Sequence, residues 1–332
     1  MHSESHGRSK YVVTGGAGFI GSHLCDRLLA DSRTETVVCV DNLQTGTMDN
    51  IAEALRDPRF HFVEADVRQP IALDAELTVG VDAVFHLASP ASPPAYMEDP
   101  VGTMLTGAVG TLHAAQFALE HGARIVYSST SEVYGDPMQH PQAESYWGNV
   151  NPIGPRACYD EGKRFGEALL TSMKQQHGLD AGIVRIFNTY GPRMLPTDGR
   201  IISTFADQAL AGEPITVFGD GSQTRSFCYV DDLVSGLVKM VDSAEPGPIN
   251  LGNPTERTVL EIAHIIRQAT DASSEITFHP LPVDDPTRRR PVIDEAKEKL
   301  GWEPQVPLSE GLLKCLDWHI KRRKNAVADR VK

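Results

Sequence analysis

The chain has no run approaching the eighteen or so apolar residues that span a bilayer, although hydrophobic residues make up 41% of it. A membrane span is excluded at this level and a soluble globule is expected. Positive charge is scarce: 31 Lys and Arg stand against 44 Asp and Glu, a net charge of −13, which repels phosphate polyanions and argues against nucleic acid as a partner. Cysteines are few and odd in number. Cys25, Cys39, Cys158, Cys228 and Cys315 show no paired metal-ligand spacing, so reduced thiols filling core positions of a cytoplasmic protein are expected, with no metal site. Residues 1–10 lack the apolar centre of a signal peptide and read as a frayed polar lead-in. No internal repeat or low-complexity block is present.

What the chain does contain is a strand and helix rhythm. Tyr11 to Thr14 is a short apolar run that stops at a glycine-rich turn, after which Phe19, Ile20, Leu24, Leu28 and Leu29 recur at helical spacing. Further strands are predicted at Thr36–Val40, Phe60–Val63, Ala83–Leu87, Ile125–Ser128 and Ala181–Phe187, with long helices near Val101–Glu120 and Tyr159–His177. Alternation of this kind predicts an α/β fold, a doubly wound parallel sheet covered on both faces. Beyond Gly191 Pro and Gly turns multiply, and helices are predicted near Ser203–Ala211, Asp232–Val241, Leu260–Ala269 and Leu308–Ile320. At 332 residues the chain suits one large domain with a smaller lobe and a cleft between them.

Gly15, Gly18 and Gly21 fall between the first strand and the first helix. Gly15 allows a tight turn, Gly18 lets backbone N–H groups approach a pyrophosphate, and Gly21 lets the helix lie close to the sheet. Phe19 and Ile20 open that helix. Asp41 closes the second strand, where a carboxylate accepts hydrogen bonds from a ribose diol and repels a 2′-phosphate. Asn42 and Leu43 follow in place of a basic pair, so NAD is favoured over NADP. Asp66, with Val67 after the third strand, is either an adenine-side contact or a turn former, and Leu87 ends the fourth strand. Tyr159 and Lys163 stand four residues apart on one helix face. A phenol with a reference pKa of about 10 needs a neighbouring cation to serve as a base, and Lys163 supplies one.

With Thr130 after the fifth strand, these features resemble the extended short-chain dehydrogenase/reductase family over essentially the whole chain. The strings His86–Pro93, Ser129–Pro137, Trp147–Gly154 and Phe187–Met194 are similar to those of its UDP-glucuronate decarboxylase (UDP-xylose synthase) branch. The resemblance implies a Rossmann-like NAD-binding domain over 8–190, a smaller nucleotide-sugar lobe mainly over 191–322 with segments returning to the first domain, and a disordered tail over 323–332. It also implies a homodimer through a four-helix interface formed by the two long helices.

It further implies oxidation of UDP-glucuronate at C4 by bound NAD, loss of carbon dioxide from the 4-keto intermediate, and re-reduction to UDP-xylose. Sugar dehydratases of the family are expected to carry Asp-Glu after the threonine. Here the pair is Ser131-Glu132, and serine lacks the carboxylic proton that dehydration uses. Simple 4-epimerases usually lack the glutamate. In the run Asp284 to Pro291 the basic residue expected near the sugar carboxylate is Arg289, with Arg288 and Arg290 as the alternative registers. Arg225 resembles a diphosphate ligand. Ser89 is expected at the substrate, Asn188 is either a substrate contact or an Asx turn, and His86 is expected to be structural. The competing expectations are a UDP-glucuronate 4-epimerase or another NAD-dependent nucleotide-sugar epimerase or dehydratase, and, further off, an NAD-sensing protein without catalysis.

Overall fold

A computed structural model describes residues 9–281 and 288–330. Six strands, β1 (Ser9–Thr14), β2 (Thr34–Asp41), β3 (Phe60–Glu64), β4 (Val81–His86), β5 (Arg124–Thr130) and β6 (Ala181–Ile186), join Ile249–Leu251 in one sheet. The order is β3-β2-β1-β4-β5-β6 and then Ile249–Leu251, and all pairings are parallel. Val12, Val13, Val38, Val84, Phe85, Ile125 and Val126 are buried in its centre, as continuous apolar strands covered on both faces require. Strand order reverses between β1 and β4, and a crevice opens there beyond the carboxyl ends of the strands, where doubly wound sheets bind ligands. Thr14, Asp41, His86 and Thr130 all stand at those ends.

The sequence-predicted helix 101–120 is Pro100–Leu105 and Thr111–His121 joined by a π-helical turn, Thr106–Gly110. Two features explain the interruption. The Thr106 and Thr111 hydroxyls donate to the carbonyls of Gly102 and Gly107 at 2.8 and 2.7 Å, competing with the regular ladder. A Cβ on Gly107 would stand 3.0 Å from Gly162 Cα, so the glycines let this helix press against Ala157–His177.

After Tyr190 the chain builds an outer lobe but returns twice. Helix Val230–Val241 packs on helix Phe19–Leu29, and Ile249–Leu251 completes the main sheet. A three-stranded sheet has Thr224–Ser226 in the middle, antiparallel to Glu256–Thr258 and parallel to Arg288–Arg289. A helix not anticipated from sequence, Asp294–Leu300, follows. The last helix runs Leu308–Arg330, so residues 323–330, expected to be an unordered tail, continue it, and Arg323 pairs with Asp207 at 3.1 Å. An amphipathic helix extends past a sequence-read end when its next turn still finds a partner. Residues 1–8, in the expected lead-in, and Asp284 to Thr287, within the arginine motif, lie outside the described residues, while Ser9 and Lys10 belong to β1.

Candidate active site

One cavity of about 740 Å³ occupies the crevice. Its lining includes Gly15, Gly18, Phe19, Ile20, Gly21, Asp41, Asn42, Asp66, Val67 and Leu87, together with Ser89, Thr130, Ser131, Glu132, Tyr159, Lys163, Asn188, Arg225 and Arg289. The structure thus brings every sequence-expected site residue to a single enclosure.

The glycine turn is built for close approach. Gly15 sits at φ +72°, and a Cβ there would lie 2.7 Å from Ala88 N; a Cβ on Gly21 would lie 2.1 Å from Gly15 O. A Cβ on Gly18 would meet Gly15 O alone, at 3.2 Å, leaving that face of the turn open to the cavity. Asp41 accepts from Ala17 N at 3.0 Å and Leu43 N at 2.8 Å. Its carboxylate keeps lone pairs for a diol beside these bonds, and burial pushes it above the usual range against the backbone bonds of Leu43, Ala17 and Gly18. Asp66 is paired with Arg68 at 2.5 Å, and that hydrogen-bonded pairing holds its carboxyl below the ordinary value. A close-packed glycine turn with one face open at Gly18, beside a carboxylate followed by Asn42 and Leu43 in place of a basic pair, fits a dinucleotide lacking a 2′-phosphate.

Tyr159 and Lys163 are both buried on helix Ala157–His177. Lys163 Nζ donates to Ser128 O at 2.8 Å and lies 5.9 Å from the Tyr159 ring centroid. Burial pushes the Tyr159 phenol up to about 12, opposed by its hydrogen bond with the Thr130 side chain, and lowers Lys163 to about 7. The phenol resists ionisation while the amine gives up its proton readily, so added positive charge in the cavity is what would draw Tyr159 toward phenolate. His86 accepts no role here: it is buried, bonded to Thr14 Oγ1 at 2.7 Å and Thr111 Oγ1 at 3.2 Å, and burial with nearby Lys163 drops it to about 3.

Thr130 ends β5, and its Oγ1 accepts from Glu132 N at 3.2 Å, which starts the tight turn Ser131–Tyr134. Arg289 is 1% exposed. Its guanidinium donates to Ser131 O and, at 3.0 Å, to Gly135 O, and lies 3.4 Å from Glu132 Oε1. Arg288 is exposed and Arg290 faces Glu256 at 3.7 Å, so strand alternation sends the middle arginine inward. Arg225 is its register partner on the neighbouring strand and is also buried. Burial alone would raise the Glu132 carboxyl, but Arg289, Arg156 and Arg225 outweigh it and hold the group below its usual range. An ionised, clamped glutamate suits positioning better than proton donation.

Sequence reasoning missed several neighbours. Arg156 binds Glu132 at 2.6 Å; its place three residues before Tyr159, at the start of the same helix, was a usable signal. Tyr96 lies parallel to Tyr159, with centroids 5.2 Å apart and planes at 8°. Arg200, paired with Asp198 at 2.7 Å, lines the cavity. Asp160 is buried, with Oδ1 lacking a hydrogen-bond partner. Only the tertiary fold brings Tyr96 and Arg200 to Tyr159.

The NAD dependent epimerase/dehydratase family matches residues 11–252. The chain belongs to this family. Among curated relatives of this epimerase/dehydratase chain, UDP-glucuronic acid decarboxylase 2 of Arabidopsis thaliana is 52% identical over 91% of this chain and 66% of that protein. UDP-glucuronic acid decarboxylase 6 of the same plant is 52% identical over 91% of this chain and 86% of its own length. The chain therefore spans about two-thirds of the length of the first and most of the second. A solved structure of a variant UDP-glucuronic acid 4-epimerase from Bacillus cereus, in complex with UDP-4-deoxy-4-fluoro-glucuronic acid and NAD, matches with a TM-score of 0.84 at 29% identity, over 94% of this chain and 99% of that one. Among the described residues no cluster of His, Cys, Asp and Glu could hold a metal ion, and no helix is long and apolar enough to cross a membrane. All five cysteines are free and buried.

Proposed function

We propose that the protein is a UDP-glucuronate decarboxylase that forms UDP-xylose. The observation that carries this reading is the buried Arg289, seated against Ser131 and Glu132 in the cavity that also holds Tyr159. A dehydratase needs an acid at position 131 for the leaving hydroxyl; a decarboxylase needs a cation for the C6 carboxylate. Here the position is serine and the neighbour is arginine.

The glycine turn, Asp41, Asn42 and Asp66 would hold NAD, with Val67 and Leu87 against it. When bound, NAD supplies reversible oxidation of the sugar C4. Tyr159 takes the proton of the 4-hydroxyl, its phenolate favoured by the positive charge that bound NAD brings and by Lys163 in its protonated form. Oxidation places the C6 carboxylate β to a ketone. Arg289, forked and always charged, orients that carboxylate; Arg225 pairs with the diphosphate; Ser89 and Asn188 line the sugar path. Cleavage of the C5–C6 bond releases carbon dioxide and leaves its electron pair on C5 and O4 as an enolate. Protonated Tyr159 and the Thr130 hydroxyl donate to O4 where this charge develops. A proton taken up from water is added at C5, and reduction at C4 with Tyr159 returning to O4 the proton it took in the first step completes the cycle with no net redox change. Glu132, held ionised, fixes Arg156 and Arg289 around the reacting carbons.

The working form proposed is a cytoplasmic homodimer. Val101, Met104 and Leu105 on one long helix and Phe165 on the other are all more than 40% exposed, an apolar stripe of the kind that buries against a second copy. Incubation with UDP-glucuronate and NAD, followed by mass and sugar NMR of the product, tests the activity: a UDP-pentose supports it and UDP-galacturonate, the 4-epimer, removes it.

A further inference from the structure

Arg289 enters the cavity from a two-residue strand, a short support for a side chain that must meet a carboxylate in one orientation. The peptide unit joining Arg289 to Arg290 is held at both of its polar atoms. Ser226 Oγ donates to Arg289 O at 3.1 Å, and Arg290 N donates to Gln142 Oε1 at 2.9 Å. Both holding side chains are at most 1% exposed. The Gln142 backbone extends the grip: its N donates to Arg290 O at 2.8 Å and its O accepts from Val292 N at 2.8 Å. Gln142 is itself fixed, since its Nε2 donates to Gln139 O at 2.7 Å and its carbonyl accepts from Asn250 Nδ2 at 3.1 Å.

The same assembly reaches the other half of the Arg289 contact. Asn250 Oδ1 accepts from Tyr134 OH at 2.8 Å, and Tyr134 ends the turn that carries Ser131 and Glu132. A closed loop of buried and half-buried hydrogen bonds therefore sets the strand bearing Arg289 against the turn bearing Glu132. Neither Gln142 nor Ser226 lines the cavity, and neither bonds to Tyr159, Lys163 or Thr130.

We propose that Gln142 and Ser226 are positioning residues that fix the Arg289 guanidinium against Glu132 by gripping the 289–290 peptide unit from both sides. Loss of either grip loosens the carboxylate site while leaving the apparatus of C4 oxidation in place. This rests on the decarboxylase reading, since only there do oxidation and carbon dioxide release form separate steps.

The test compares NAD-loaded wild-type protein, Gln142→Met, Ser226→Ala and the double variant in single turnovers of UDP-glucuronate, quenched and analysed for both 4-keto sugar and carbon dioxide. Gln142→Met keeps volume and removes the acceptor; Ser226→Ala removes one hydroxyl and carries the same expectation alone if the first variant does not fold. The 4-keto sugar should form at the wild-type rate and accumulate, while carbon dioxide release falls ten- to roughly a hundred-fold, as for a charged group displaced by about an ångström. Unchanged release, or an equal fall in both steps, overturns the positioning role while leaving the activity standing. A wild-type protein that releases no carbon dioxide overturns the decarboxylase reading and the positioning role with it.

Discussion

Glu132 and Arg289 meet inside the cavity with Oε1 and Nη1 3.4 Å apart, although 157 residues separate them in the chain. The pairing joins the end of β5 to the outer lobe, so Arg289 is in place only when both lobes are folded. The energetics of enclosed ion pairs make this contact sensitive to loss of one partner, because the remaining charge stays buried without compensation.

Arg289→Ala is accordingly expected to damage activity through the substrate carboxylate. Steady-state kinetics with UDP-glucuronate should show a raised KM or a lowered kcat, while NAD affinity measured by calorimetry stays near wild type. Unchanged kinetics would return the arginine to a structural role.

Tyr159→Phe keeps the stacked ring beside Tyr96 and removes the proton acceptor. Turnover is expected to fall by roughly 10²- to 10⁴-fold, the usual contribution of a positioned general base, with NAD binding retained. Near-normal turnover would show that another group takes the proton.

Gly21→Ala tests the cofactor cradle without touching the reacting groups. The new methyl would lie 2.1 Å from Gly15 O, so the turn or the helix after it must shift. Loss of NAD binding and a lower Tm are expected; retained binding by calorimetry would mean that the turn is not the pyrophosphate site.

Asp160 supplies a pH dependence with a defined sign. Burial first, and then the Glu132 charge, push its carboxyl up to about 7 from the ordinary 3.8. The folded protein therefore binds more protons than the unfolded chain across that interval. Its contribution to stability is present below the unfolded value and is lost as pH rises through the folded one. Asp160→Asn removes the loss, so the Tm of the variant minus that of wild type should increase between about pH 4 and about pH 8. A difference that is flat across this range would contradict the assignment.

The parts of the site legible in the sequence are those written in local spacing. Gly15, Gly18 and Gly21 mark a strand-to-helix turn, Tyr159 and Lys163 share a helix face, and Asp41 ends a strand of buried valines. Six of the seven strands in the main sheet followed from apolar runs, with ends displaced by a residue or two where pairing, not composition, decides; the seventh, Ile249–Leu251, is three residues long and was not placed. Tyr96 and Arg200 carry no local signal because they reach Tyr159 through packing of separate segments, whereas Arg156 stands one helical turn before Tyr159 and only its pairing with Glu132 depends on the fold. The pairing of Arg225 with Arg289 joins two very short strands that carry no periodic signal, and the π-helical turn at Thr106–Gly110 depends on a helix contact made by Gly162.

Whether this cavity removes C6 from UDP-glucuronate is measured most directly with substrate carrying labelled carbon at C6 alone. With NAD present, the label is expected to leave as carbon dioxide in step with the appearance of an unlabelled UDP-pentose. Label retained in a UDP-hexuronate would contradict it.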